Sequence, residues 1–180
     1  MERWEVLESI HGGVFVTPDF SFGEDALALA RFAAPTAGQV CELGTGCGVI
    51  ALLLAQDAAS VSAVEIQPQA AALAARSVAV NGLADTVQVI CADWNDLADT
   101  LSAGSFDCVV CNPPYFAAGG GKQSVSAARR IARHEPDEPE FTAGLSDGAA
   151  TGETVIAVIP NADVRKEDYV NLLKLEAERA

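Results

Sequence analysis

A doubly wound, mainly parallel α/β domain is the fold class this sequence predicts, and three observations predict it. Val61 to Ile66, Val87 to Cys91 and Phe106 to Cys111 are short, mostly apolar runs with the length and composition of strands covered on both faces. Segments with helical spacing alternate with them, the pattern that places parallel strands in one sheet. A glycine turn, Gly44-Thr-Gly-Cys-Gly48, joins a short strand, Gln39 to Leu43, to the apolar segment Val49 to Gln56, giving a strand-turn-helix unit.

Each element has its own reason. Glu24 to Phe32 carries Leu27, Ala30 and Arg31 at helical spacing and is stopped by Pro35. Pro68 at a first helical position and Gly82 just past an end bracket another helix. Asp96 to Ser102 is a short helical connection into the fourth strand. Beyond Tyr115, Ala117-Ala-Gly-Gly-Gly121 reads as a flexible loop and Ser124 to His134 as a helix. Glu135 to Gly152 is acidic and contains Pro and Gly, so no element is assigned to it. Thr154 to Ile159 is a fifth strand closed by Pro160, and Asp163 to Ala180 is a polar helix. The expected organisation is a single domain over residues 1–180, with a lead-in and helix at 1–38 and a core at 39–134. An acidic linker at 135–152 and a strand with a terminal helix at 153–180 complete it.

Composition narrows the class. The chain has 180 residues, 50% of them hydrophobic and 6% aromatic, enough for one sizeable core. No apolar run approaches the ~20 residues of a membrane span, and Met1-Glu-Arg-Trp-Glu5 lacks the basic start of a secretory signal. A cytoplasmic protein is expected, with no membrane partner. The five cysteines are an odd number and lie mostly in apolar segments, which argues against a disulfide scaffold. Cys108-Val-Val-Cys111 has metal-pair spacing, but residues three apart on a strand point to opposite faces and no second pair exists, so no metal is expected.

A formal net charge of −14 opposes nonspecific nucleic-acid binding. The charge is segregated, however. Lys122, Arg129, Arg130, Arg133 and His134 cluster ahead of the acidic run Glu135 to Glu140. This basic cluster reads either as a solvated helix face or as a local patch for a phosphate-bearing substrate.

Asn112-Pro113-Pro114-Tyr115 closes the fourth strand and carries the sharpest chemistry. Pro113 pushes Asn112 into an extended conformation, and two successive prolines remove two competing N–H donors. The Asn112 side-chain oxygen and the Pro113 carbonyl then form an acceptor-only corner, suited to holding both hydrogens of a planar amine or carboxamide whose nitrogen is to be methylated. Tyr115 offers a flat face for stacking. The same four residues also read as an ordinary turn.

The cofactor half is Glu42-Leu-Gly44-Thr-Gly46-Cys-Gly48, whose glycines permit close backbone approach. Its G-x-G-x-G spacing differs from the dinucleotide fingerprint and favours a ligand without pyrophosphate. Glu65, ending the second strand of the core, stands where doubly wound folds bind ribose hydroxyls. Asp93, past the third, can accept from an adenine amine. Each also reads as a local turn or helix cap.

Taken together, these segments resemble the successive motifs of S-adenosylmethionine-dependent methyltransferases of the "small" group. Phe20-Ser-Phe-Gly-Glu-Asp-Ala26, Asn112-Pro-Pro-Tyr-Phe116 and Ala127-Ala-Arg-Arg-Ile-Ala-Arg-His-Glu135 resemble, more narrowly, the family that methylates the adenine amine just 3′ of the anticodon in valine tRNA. The resemblance covers about Gly12 to Glu135. It implies a Rossmann-like fold, S-adenosylmethionine as cofactor and tRNA as partner. It also implies that Asp25 holds the amino-acid end of the cofactor, that Ile66 and Trp94 join Glu65 and Asp93 around it, and that Tyr115 or Phe116 stacks on the base. A long helix and the last two strands of the usual seven-stranded sheet have no counterpart after Glu135, so the chain reads as shortened, with an open edge that invites a homodimer.

The expected activity is methylation of an exocyclic adenine N6 amine in tRNA, with Lys122, Arg129, Arg130, Arg133 and His134 on the substrate surface. The alternatives are a protein glutamine N5-methyltransferase acting on a release-factor-like Gly-Gly-Gln loop, and a shortened chain that binds cofactor or RNA without turnover.

Overall fold

The computed structural model describes residues 1–34, 37–93, 97, 101, 106–112, 116–117, 134–135 and 149–157. Its centre is a five-stranded parallel sheet of β3 (Gln39–Leu43), β4 (Ser60–Glu65), β5 (Val87–Cys91), β6 (Phe106–Cys111) and β9 (Ala149–Ala157), in the order β5-β4-β3-β6-β9. Side chains alternate between two apolar clusters. Val40, Val61, Ala63, Cys108 and Val110 face one, and Cys41, Leu43, Val64, Val109 and Cys111 face the other. That alternation is why these strands read as continuous apolar runs: both faces are covered. The first cluster holds residues of α1 (Glu24–Ala33), α2 (Val49–Leu54) and α3 (Pro68–Val80), and Leu97 and Leu101 pack against the second.

Helix α3 shows how local sequence sets a boundary. Pro68 occupies its first turn, and the chain leaves it through Gly82 at φ 71°. The Gly82 N–H bonds the Ala79 carbonyl and the Leu83 N–H bonds the Val78 carbonyl, both at 3.1 Å. This is the reversal that a left-handed glycine makes at a helix end.

Cys108 and Cys111 lie in opposite clusters, as their spacing on a strand requires. Burial pushes the Cys41 and Cys47 thiols up to about 12, which keeps them protonated and inert. Cys91 is exposed.

Three expectations are corrected. The lead-in holds an antiparallel hairpin, β1 (Arg3–Leu7) and β2 (Gly12–Val16), turned through His11 at φ 52°. In β1 only Leu7 is buried, and the alternating apolar residues Trp4 and Val6 lie on the exposed side, so the short alternation does not mark a core-facing strand. The hairpin rests on α3: Phe15 N–H donates to Ser77 Oγ at 3.0 Å, and Gly13 N–H donates to Asn81 Oδ1 at 3.1 Å while Asn81 Nδ2 returns a bond to the Gly13 carbonyl at 2.7 Å. Second, His134 is not helical. It lies in β8 (His134–Glu135), a two-residue strand parallel to β7 (Phe116–Ala117), with Phe116 opposite His134. Third, β9 begins at Ala149, inside the segment expected to be linker. Phe106 pairs with Ala149 but Cys108 with Thr154, so the extra β9 residues are accommodated in an irregularity there, and the regular ladder starts where the sequence pattern placed the strand. The expected helices at Ser124 to Arg133 and Asp163 to Ala180 lie outside the described residues.

Candidate active site

Strand register brings the named residues to one edge. Leu43 stands level with Val64 and with Cys111, and Glu65 with Cys91. Gly44, Ile66, Asp93 and Asn112 therefore all follow the carboxyl ends of neighbouring strands. The chain runs outward from β3 through β4 to β5 and then returns to β6 on the other side of β3. Ligands in open α/β sheets bind in the crevice that such a reversal creates, and Gly44 and Asn112 flank it.

The glycine turn is built on its backbone. Gly44, Gly46 and Gly48 have φ of 74°, 58° and 89°, a region that other residues enter at a cost. The Gly44 and Thr45 N–H groups both donate to the Val64 carbonyl at 2.9 Å, tying the turn to β4. A Cβ at Gly48 would stand 3.0 Å from the Ala74 Cβ, so that glycine allows α2 to press against α3. A Cβ at Gly46 would meet nothing within 4 Å. Gly46 thus lines open space where a ligand can approach the main chain.

Two carboxylates lie beneath the turn. Glu65, 5% exposed, accepts the Gly46 N–H on Oε2 and the Gln67 N–H on Oε1, each at 2.9 Å. It therefore does cap the entry to α3, while also holding the turn. Burial raises its pKa, and the Gln67, Gly46 and Ile66 N–H groups oppose the rise. Ile66, next in sequence, is 51% exposed, an apolar surface beside the carboxylate. Glu42 is 1% exposed and accepts the Thr45 hydroxyl at 2.6 Å. Burial pushes Glu42 up to about 7 against the hydrogen bonds from Thr45 and the Ala51 N–H, and the charge of Glu65 adds to the rise.

Asn112 meets α1 from across the fold. Its Nδ2 donates to Asp25 Oδ2 at 3.0 Å, and Asp25 is buried in the first turn of that helix. Sequence reasoning named both residues but not the bond between them. It also missed Thr45 and Gln67; a hydroxyl three residues after a buried acid in a tight turn is the signal that identifies Thr45.

Trp94, Pro113, Pro114, Tyr115, Lys122, Arg129, Arg130 and Arg133 lie outside the described residues. Phe116 and His134 are brought together by the β7–β8 pair. Among the described residues no group of three or more His, Cys, Asp or Glu is arranged to hold a metal ion, and no helix is long and apolar enough to cross a membrane. A separate hollow of about 740 Å³, lined by Trp4, Ile10, His11 and Val80 among others, contains none of the residues named from sequence.

Known proteins resemble this arrangement. A tRNA1(Val) (adenine(37)-N6)-methyltransferase of Bacteroides fragilis is 30% identical over 142 residues, covering 77% of this chain and 59% of that protein. A ribosomal protein uL3 glutamine methyltransferase of Bordetella pertussis is 34% identical over 136 residues, covering 76% and 42% respectively. The structure of tRNA (m1A58) methyltransferase TrmI from Aquifex aeolicus superposes with a TM-score of 0.61 at 17% identity, over 93% of this chain and 57% of that one, which shows the shared Rossmann-like fold. The chain spans about three fifths of the Bacteroides protein's length. The family model of the methyltransferase small domain matches residues 6–137, so the chain belongs to the methyltransferase small domain family.

Proposed function

We propose that the chain binds S-adenosylmethionine at the carboxyl edge of the sheet and directs its methyl group to the exocyclic N6 amine of an adenine in tRNA. The observation that carries this reading is the Asn112 amide, standing at the switch point beside the glycine turn with its donor end committed to Asp25.

The residues fit the cofactor. The open side of Gly46 admits an adenosyl group against the main chain, and a carboxylate can accept up to about four hydrogen bonds, so Glu65 can take ribose hydroxyls in addition to its two N–H partners. Ile66 offers an apolar contact for adenine, Asp93 and Trp94 are assigned to the same end of the cofactor, and Gly44, Gly48 and Glu42 support the turn. When bound, S-adenosylmethionine would supply a methyl group that the nitrogen lone pair can take in line as the C–S bond breaks, with the sulfonium leaving as a neutral thioether. The target base is turned out of its stack to reach the pocket, as base-modifying enzymes require. The Asn112 carbonyl and the Pro113 carbonyl accept the amine hydrogens, orienting its lone pair and stabilising the positive charge that develops on it. No strong base is needed, because the nitrogen becomes acidic only after methylation. Pro114 stiffens the corner, and Tyr115 and Phe116 stack on the base. Lys122, Arg129, Arg130, Arg133 and His134 are assigned to the RNA phosphates.

The Bordetella relative's printed activity supports a second reading, methylation of a glutamine carboxamide, which presents the same planar NH2. Labelled S-adenosylmethionine, incubated separately with unmodified tRNA and with a peptide containing Gly-Gly-Gln, decides between them. Label is expected in RNA. Label in the peptide alone would establish the second reading, and cofactor binding without transfer to either would make the chain a binding module.

A further inference from the structure

We infer that Asp25 is a positioning residue that selects which end of the Asn112 amide meets the substrate. A primary amide has two ends of similar shape and opposite character, a carbonyl that accepts and an NH2 that donates. Asn112 serves a target N–H only with its carbonyl turned toward it, and nothing in asparagine itself makes that choice. Asp25 makes it. Its Oδ2 lies 3.0 Å from the amide nitrogen, on an element 87 residues earlier in the chain, and accepts the Asn112 N–H. Reversing the amide would set a carbonyl oxygen against a carboxylate oxygen at a place where Asp25 is 5% exposed, so little water is present to separate two acceptors. The reaction's preference for a planar NH2 over a carbonyl-bearing substrate therefore originates partly on α1, away from the Asn-Pro-Pro-Tyr corner. The substrate half of this inference rests on the proposed N-methylation, whereas the pair itself rests on geometry alone.

The test measures kcat and KM for RNA at saturating S-adenosylmethionine in the wild-type chain, Asp25→Ala, Asn112→Ala and the double variant. Asp25→Ala is expected to lower kcat about tenfold or more through mispositioning, with KM for RNA within about threefold. Placed on Asn112→Ala, the same change should lower kcat by less than about threefold, because the group through which Asp25 acts is already gone. A full, additive loss in that background would mean that Asp25 acts on its own and would overturn the inference. Asp25→Asn, which keeps the volume and can still accept through its own carbonyl, should lie between wild type and Asp25→Ala. A second readout needs no turnover. The two side-chain amide proton resonances of Asn112, identified by their loss in Asn112→Ala, should shift in both Asp25 variants. If the wild-type chain methylates neither RNA nor peptide, the proposed function fails and these resonances alone decide: a shift upholds the inference and no shift overturns it.

Discussion

The Glu65 carboxylate accepts the Gly46 N–H at 2.9 Å, joining the end of β4 to the open bend of the glycine turn. Its other oxygen accepts the Gln67 N–H, so a single side chain shapes the glycine turn and starts the next helix.

Replacing Glu65 by Gln should therefore be far from conservative. The new NH2 would oppose one of two backbone donors, and a buried donor left unsatisfied costs about 1–3 kcal/mol. Thermal unfolding should show that loss, and calorimetry should show S-adenosylmethionine affinity reduced at least about tenfold, since charge-assisted bonds contribute roughly 1.5–3 kcal/mol. Unchanged affinity would take Glu65 out of the cofactor site.

Asn112→Ala should separate binding from chemistry. Turnover is expected to fall by about two orders of magnitude, as when one preorganised electrostatic partner is lost, while cofactor affinity by calorimetry barely moves. Normal methylation by this variant would end the role assigned to the corner.

Glu42 gives the cofactor-free protein a pH signature. Its pKa is raised in the folded state, to about 7 from an ordinary 4.5, so the folded chain holds a proton that the unfolded chain releases. The stability associated with that proton is fully present below pH 4.5 and is lost as pH rises through 7. The loss is roughly 3 kcal/mol, at about 1.4 kcal/mol per unit. Denaturant midpoints measured from pH 5 to 8 should fall across this window, and Glu42→Gln should flatten the fall. An equal slope in both proteins would assign it to other groups.

The β9 edge should support a homodimer. Among the described residues β9 pairs with β6 alone, which makes it the strand of the sheet at which a second copy could add its own. Two copies joined there would continue the sheet, and because each carries a net charge of −14, salt should strengthen the contact by screening. Sedimentation should show a dimer whose fraction grows with ionic strength. A monomer at every salt concentration would refute this contact.

The sheet was legible because burial on both faces leaves its mark directly in the residues. β3, β5 and β6 begin and end where their apolar runs do. The glycine turn, Glu65 and Asn112 were legible for the same reason that they converge: each follows a strand, and parallel strands of equal register end together. The hairpin was hidden because its core-facing Leu7, Val14 and Val16 are few and are broken up by Glu8 to Gly13, while its remaining support comes from the polar side chains of Ser77 and Asn81. The start of β9 was hidden because an irregular register carries no period-two pattern. The Asp25–Asn112 bond spans 87 residues and leaves no local trace in either segment.

The hairpin's dependence on α3 imposes an order on folding during synthesis. The Gly13 N–H and carbonyl bond the Asn81 side chain, 68 residues later. At roughly 5–20 residues per second, a ribosome needs about 3–14 s to deliver that partner. Throughout that interval the β2 edge, which α3 covers in the finished protein, stands open on the nascent chain.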